Sequence, residues 1–249
     1  MWKNKGSVTM MAVMAMLVFS LYGIALYARS VSSYHVQELQ IKTIQNTYSR
    51  DLERAHYIAT DVSSKKSVKE LAEKTVSEFG GIDILINNAG VTIPESPVFD
   101  VTEEQWDFVH NVDLKGLYFT SQVIAEKMKQ LGNGGRIVNL TSAAGIMTPK
   151  YVSVYGAAKA GVRHLTGIMA KEWARWGINV NAVAPGYVNT DMLAPMLENE
   201  KNAQVVLKSI PMRRYGEVKD VANVILFLVT EASDYLTGVI IPIDGGMMA

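Results

Sequence analysis

Tyr155 and Lys159 stand four residues apart in the stretch "YGAAK". On a helix that spacing puts both side chains on one face with their polar ends adjacent. An ammonium beside a phenol favours the phenolate, drawing a pKa of about 10 towards the range of a general acid or base. An exposed helical pair without function fits the same spacing, so the surroundings must decide. Thirteen residues before Tyr155, at the end of the apolar run "RIVNL", comes Ser142 in "TSAAG". At the carboxyl end of a strand in an open α/β sheet it is placed to donate a hydrogen bond to a substrate oxygen; alone it reads equally as a cap or turn residue. "NNAG", Asn87 to Gly90, ends another apolar run with small residues that let a flat ligand approach the backbone. "APG" ends a third, where Pro185 and Gly186 shape a loop leading to Thr190.

The elements that must carry these residues follow from periodicity. From Ala55 onward, short apolar runs alternate with helical patterns, as in a parallel sheet with crossover helices. "AHYIAT" (55–60) is the first expected strand, and "IDILIN", "RIVNL", "INVNAVA" and "GVIIPID" are the others. Val68, Leu71, Ala72, Val76 and Phe79 mark one face of a helix opened at Ser63 or Ser64 and ended by Gly80 and Gly81. Thr102 with Gln105 forms a capping box for a helix running towards Gly132. The segments 154–176 and "VANVILFLV" supply further helices. The expected fold is a doubly wound parallel α/β sheet in a single domain, 1–249, because no repeat, linker or low-complexity tract divides the chain.

Composition excludes several classes. Lys plus Arg equals Asp plus Glu at 24 each, so no positive excess exists to hold a nucleic acid. With no cysteine there is no disulfide framework and no thiolate metal site. His35, His56, His110 and His164 show no ligand spacing, so no metal is expected.

Taken together, these motifs resemble the short-chain dehydrogenase/reductase family, nicotinamide-dependent enzymes with a Rossmann fold. The resemblance covers about 55–248 and rests on the order of "DV" (Asp61, Val62), "NNAG", "NVDLKG" (Asn111 to Gly116), "TSAAG", "YGAAK", "APGYVNT" and "IDGG". The implied reaction is hydride transfer between NAD or NADP and a carbonyl or secondary alcohol. By the same resemblance, Tyr155 is the proton donor or acceptor, and Lys159 lowers its pKa while binding the nicotinamide ribose. Ser142 orients the carbonyl, and Asn111 holds the water through which Lys159 exchanges protons. Asp61 and Val62 touch the adenine, Asn88, Ala89 and Gly90 the cofactor's sugar and backbone, and Val188 with Thr190 the carboxamide, with Pro185 and Gly186 of the same loop also binding the cofactor. The segment "EWARWGINVNAVAPGYVNTDM" looks most like sugar-acid dehydrogenases and 3-oxoacyl carrier-protein reductases. The segment from Tyr187 to Tyr215 is expected to form a loop and helix over the substrate, with Met192, Leu193 and Met196 as an apolar wall or as packing. Arg213 and Arg214 could meet an anionic substrate or lie on the surface. Family members form dimers or tetramers, so a homodimer or homotetramer in the cytoplasm is expected.

The chain departs from the family in residues 1–54. The family's TGxxxGxG turn, which lets a helix N-terminus meet the pyrophosphate, has no counterpart there, and no residue selects NAD over NADP. Instead "TMMAVMAMLVFSLYGIALYA", 9–28, runs without a charge, long enough to span a bilayer. Three readings stay open: an apolar strand and helix in the Rossmann position, residues 6–53 translated from a shifted frame, or a membrane anchor. The alternative to an enzyme is a family member that does not hold the cofactor and acts as an oligomeric or interaction protein.

Overall fold

The computed structural model describes residues 57–249. Ser64 opens helix α1 (Lys65–Phe79) by accepting the Ser67 N–H on its hydroxyl, one of the donors a helix start leaves unpaired. Gly80 stops it in the left-handed conformation at φ 78°, where a side chain would be strained. Strand β1 (Ile84–Asn87) follows. Thr102 and Gln105 close the expected capping box over α2 (Glu103–His110). The helix then widens into a π-helical segment, Asn111–Gly116, and continues as α3 (Leu117–Leu131) to a left-handed Gly132. Strand β2 (Gly135–Leu140), helix α4 (Ser153–Trp173) and strand β3 (Ile178–Pro185) come next. A single helical turn, Ala194–Leu197, leads to α5 (Glu200–Ser209), α6 (Val218–Leu228) and strand β4 (Ile240–Ile243).

The described strands form one parallel sheet in the order β1, β2, β3, β4. Asn87 pairs with Asn139, Leu140 with Val183, and Pro185 with Ile243, so Asn88, Thr141, Gly186 and Asp244 all leave the same edge. Side chains alternate across the pleat. Ile137, Ile178 and Val180 face Val68, Ala72, Ile124, Met128 and Met169 of α1, α3 and α4. Val138, Leu140 and Val183 face the opposite side, against Val221, Ile225 and Leu228 of α6. Each buried Val, Leu, Ile or Met among them contributes about 1.5–3 kcal/mol relative to exposure. Helices on both faces of a parallel sheet make the doubly wound α/β fold expected from the sequence.

The expected strand at 55–60 is corrected. Residues 57–60 carry no strand and pair with none of the described strands, and Tyr57 is exposed. The rest of that segment, the 9–28 run and the position of the missing glycine-rich turn lie outside the described residues. Among the described residues no helix is long and apolar enough to cross a membrane.

Candidate active site

Beneath the strand ends lies a buried polar chain. Asn87 donates through Nδ2 to Ser121 Oγ and Asn139 Oδ1, each at 2.8 Å, and Asn139 Nδ2 donates to Thr166 Oγ1 at 3.0 Å. These bonds join β1, α3, β2 and α4 at one level, so the loops above them start from a fixed base. Such satisfied polar links specify a single arrangement, because a shift of any partner strands a buried donor.

Above β2, the Ser142 hydroxyl accepts the Ala144 N–H at 3.2 Å. As an acceptor there, it keeps its own proton free to give to another oxygen. Thr141 donates through Oγ1 to the Lys159 carbonyl at 2.7 Å, and Gly145 lies against the backbone of Lys159 and Ala160. A methyl group at Gly145 would stand 2.6 Å from the Lys159 carbonyl carbon. The Ser142 loop and α4 are thereby held in contact, and α4 presents Tyr155 and Lys159.

Lys159 is the electrostatic centre. Its side chain is buried, its Nζ donates to Leu140 O at 3.1 Å, and it stands 5.5 Å from the Tyr155 ring centroid. Asp113 Oδ2, from the π-helical segment, is 3.0 Å away in a close ion pair that lacks the alignment of a directed hydrogen bond. Burial is the largest influence on the ammonium and pushes its pKa down; Asp113, Tyr155 and the contact with the Asp113 carboxyl together outweigh it and hold the lysine above its ordinary range. It is a cation at neutral pH.

The other expected residues lie around this centre with differing contacts. Gly90 packs so closely that a methyl group there would be 3.2 Å from Asp113 Oδ2 and 3.3 Å from Lys159 Nζ. Gly186 lies against Asp244, where a methyl group would meet its Cβ at 2.9 Å. The loop bearing Val188 and Thr190 is pinned to Gly216, which donates its N–H to Tyr187 O and accepts the Asn189 N–H, both at 2.9 Å. Burial first, then Glu95 and Tyr215, raise the Tyr187 phenol above its ordinary value, so it faces the loop as a neutral hydroxyl. Val62 packs on Gly116, where a methyl group would be 3.0 Å from Val62 O. Asp61 uses Oδ1 to accept the Ser63 N–H and hydroxyl, at 2.9 and 2.6 Å. The Asn111 side chain accepts from Lys115 at 3.3 Å, so its Oδ1 is directed along its own helix towards Lys115. Arg214 is an exposed partner of Asp220 at 2.7 Å, the surface alternative of the two.

A nicotinamide nucleotide would suit this surroundings on one observation. The buried Asn88 amide has both its donor and its acceptor unmet by any group among the described residues, and a sugar with paired hydroxyls can satisfy both at once. Gly90 next to it leaves the backbone bare of side-chain atoms. Two residues escaped the reading of the sequence. Thr141 and Asp113 were quoted within motifs but given no role; a carboxylate amid the apolar face of "NVDLKGLYF" was the available signal.

The comparisons with known proteins agree. A family model described as enoyl-(acyl carrier protein) reductase matches residues 23–248, ahead of the point where the motifs become legible. The 2-dehydro-3-deoxy-D-gluconate 5-dehydrogenase of Escherichia coli K12 is 38% identical over 192 residues, covering 77% of this chain and 76% of that protein. The 3-oxoacyl-(acyl-carrier-protein) reductase of Thermotoga maritima is 43% identical over 190 residues, covering 76% of this chain and 75% of its own. The solved structure of a gluconate 5-dehydrogenase from Burkholderia cenocepacia J2315, in complex with NADP and tartrate, superposes with a TM-score of 0.78 at 29% identity, over 82% of this chain and 80% of that one. With the Ser142, Tyr155 and Lys159 arrangement at the strand ends, these matches make the chain a member of the short-chain dehydrogenase/reductase family of oxidoreductases.

Proposed function

We propose that the chain interconverts a carbonyl and a secondary alcohol using NAD or NADP, with Tyr155 moving the proton at the substrate oxygen. The observation that carries this reading is the buried Lys159 ammonium 5.5 Å from the Tyr155 ring. The cofactor, when bound, supplies or accepts the hydride. The chain does the rest. Ser142 donates a hydrogen bond to the oxygen on which charge develops and keeps its proton, and the Tyr155 phenol gives the one proton in reduction or takes it in oxidation. Lys159 holds a positive charge beside the Tyr155 ring. Asn88, Ala89 and Gly90 would cradle the sugar, with Lys159 beside them. Pro185, Gly186, Val188 and Thr190 would bound the nicotinamide side, and Asp61 and Val62 the adenine side. Asn111 would serve the proton path from the start of the π-helical segment.

Ser142 on a loop held against the helix that bears Tyr155 and Lys159 favours catalysis over a purely interacting role. The substrate class is a small oxo acid or an oxoacyl group, supported by the relatives named above. Steady-state oxidation of NADH and NADPH by the purified chain tests it, with 2-dehydro-3-deoxy-D-gluconate and a 3-oxoacyl thioester as substrates. Turnover of either supports the reading; absence of turnover with every carbonyl acid and thioester offered opposes it.

We read 1–249 as a single domain and expect a homodimer or homotetramer. An apolar recess of about 440 Å³, lined by Leu114, Tyr118, Phe119, Gly161, His164 and Leu165, opens between the π-helical segment, α3 and α4. A second copy of the same face would cover it, and sedimentation of a Tyr118→Glu variant as a smaller species is the expected result. A cytoplasmic location belongs to the same proposal. Recovery in the soluble fraction without detergent tests it against an anchor at 9–28.

A further inference from the structure

We propose that Tyr215 is a positioning residue for the segment that covers the substrate: its phenol clasps helix α5 to the frame that holds the loop of Val188 and Thr190. The proposal rests on the assignment of that loop to the cofactor and of the stretch between Tyr187 and Tyr215 to the substrate.

Residues 189–215 leave the sheet end and return to it at one place. Val188 and Gly216 form a parallel bridge there, closed by the Gly216 N–H on Tyr187 O and the Asn189 N–H on Gly216 O. Leu193 and Ile210 are the buried pegs of this excursion. Leu193 donates its N–H to Thr190 O at 2.9 Å, and Ile210 lies against Gly245, where a methyl group would be 2.7 Å from its Cγ2. Between the pegs no described side chain is fully buried; α5 rests on Ala203, Val206 and Leu207, each half-buried, and leaves Val205 exposed. So little apolar burial holds a ten-residue helix weakly, and once detached it is too short to stay helical in water.

Polar ties therefore decide where α5 lies. The Arg213 guanidinium donates to Lys208 O, a last-turn carbonyl that a helix end leaves unpaired, so that bond is a cap. The Tyr215 phenol donates to Ala203 O at 2.7 Å. Ala203 is inside the helix, where the ladder assigns its carbonyl to the Leu207 N–H, and the phenol takes the second lone pair. Forming the helix does not need this bond; placing it does. Tyr215 is itself a firm post. Its carbonyl accepts from Arg214, which Asp220 holds, and the next residue, Gly216, carries the bridge. Because the phenol is half-buried, water can replace Ala203 O when α5 lifts, and the clasp is reversible.

The test is Tyr215→Phe in the full chain, which keeps the ring and removes only the donor. Amide hydrogen exchange across 200–209 speeds up by about 2–10-fold, the worth of one net hydrogen bond, while exchange in the sheet and the melting temperature stay at wild type. KM for the carbonyl substrate rises by a similar factor, with kcat and NADPH affinity nearly unchanged. Unchanged exchange across 200–209 overturns the proposal, as do wild-type α5 amides that exchange without protection. Faster exchange throughout the sheet with a lowered melting temperature also overturns it, because Tyr215 is then ordinary packing. In an active enzyme, an unchanged KM or a loss confined to kcat overturns the link to the substrate cover. A folded wild-type chain that turns over no carbonyl substrate refutes the functional reading, and the exchange comparison, which needs neither cofactor nor turnover, still decides the clasp.

Discussion

The Lys159 ammonium stands 5.5 Å from the centre of the Tyr155 ring, one helical turn along α4, with its side chain out of water. This relationship predicts that Tyr155→Phe lowers kcat by about 10²-fold or more, the usual worth of a positioned acid or base. Its melting temperature and NADPH affinity stay near wild type, since the ring and its packing remain. Steady-state kinetics with a fluorescence titration of the same preparation checks both halves.

Ser142 accepts the Ala144 N–H and so keeps its proton for a substrate oxygen. Ser142→Ala is expected to cost about 10²–10³ in kcat, as for loss of one donor to a developing oxyanion. KM for the cofactor should change little. A loss confined to KM would assign Ser142 to binding alone.

Gly145 lies where a methyl group would be 2.6 Å from the carbonyl carbon and 2.8 Å from the carbonyl oxygen of Lys159, both backbone atoms that cannot turn aside. Gly145→Ala should destabilise the fold by about 1–3 kcal/mol through overpacking, measured by urea denaturation. It should also reduce turnover, because the Ser142 loop and α4 are pushed apart.

Arg214 bonds Asp220, and the Glu217 N–H donates to the same carboxylate at the start of α6. Arg214 first, then that N–H, hold the Asp220 carboxyl below its ordinary range. A depressed folded pKa gives stability that is present above the unfolded value of about 3.9 and is lost as pH falls through the folded one. Asp220→Asn should therefore melt below wild type at neutral pH, with the difference closing as the pH drops beneath the carboxylate range. A gap that persists unchanged into acid would contradict the assignment.

The fold was legible where periodicity and caps agree. The Thr102 box, the Gly80 and Gly132 stops and the helix bearing "YGAAK" stand where the pattern places them. At 57–60 the expected strand has no ladder to any described strand, and 55–56 lie outside the described residues. At the site, Ser142 follows β2 and Tyr155 and Lys159 stand one turn apart on α4, where the short motifs place them, while their roles belong to the proposal. Asp113 was hidden for the opposite reason: its partners, Val91 and Lys159, lie far from it in sequence, and no spacing rule links a π-helical carboxylate to them. The chain from Asn87 through Asn139 to Thr166 was equally hidden, since nothing local distinguishes a buried asparagine in a strand from an exposed one.

The most direct test of the account is titration of the purified, folded chain with NADPH and, separately, NADH, following nicotinamide fluorescence. Saturable binding in roughly the 1 μM to 1 mM range typical of enzyme ligands, weakened when Lys159 is replaced by Met, is the predicted result. No binding of either nucleotide up to millimolar concentration by a chain shown to be folded would contradict it.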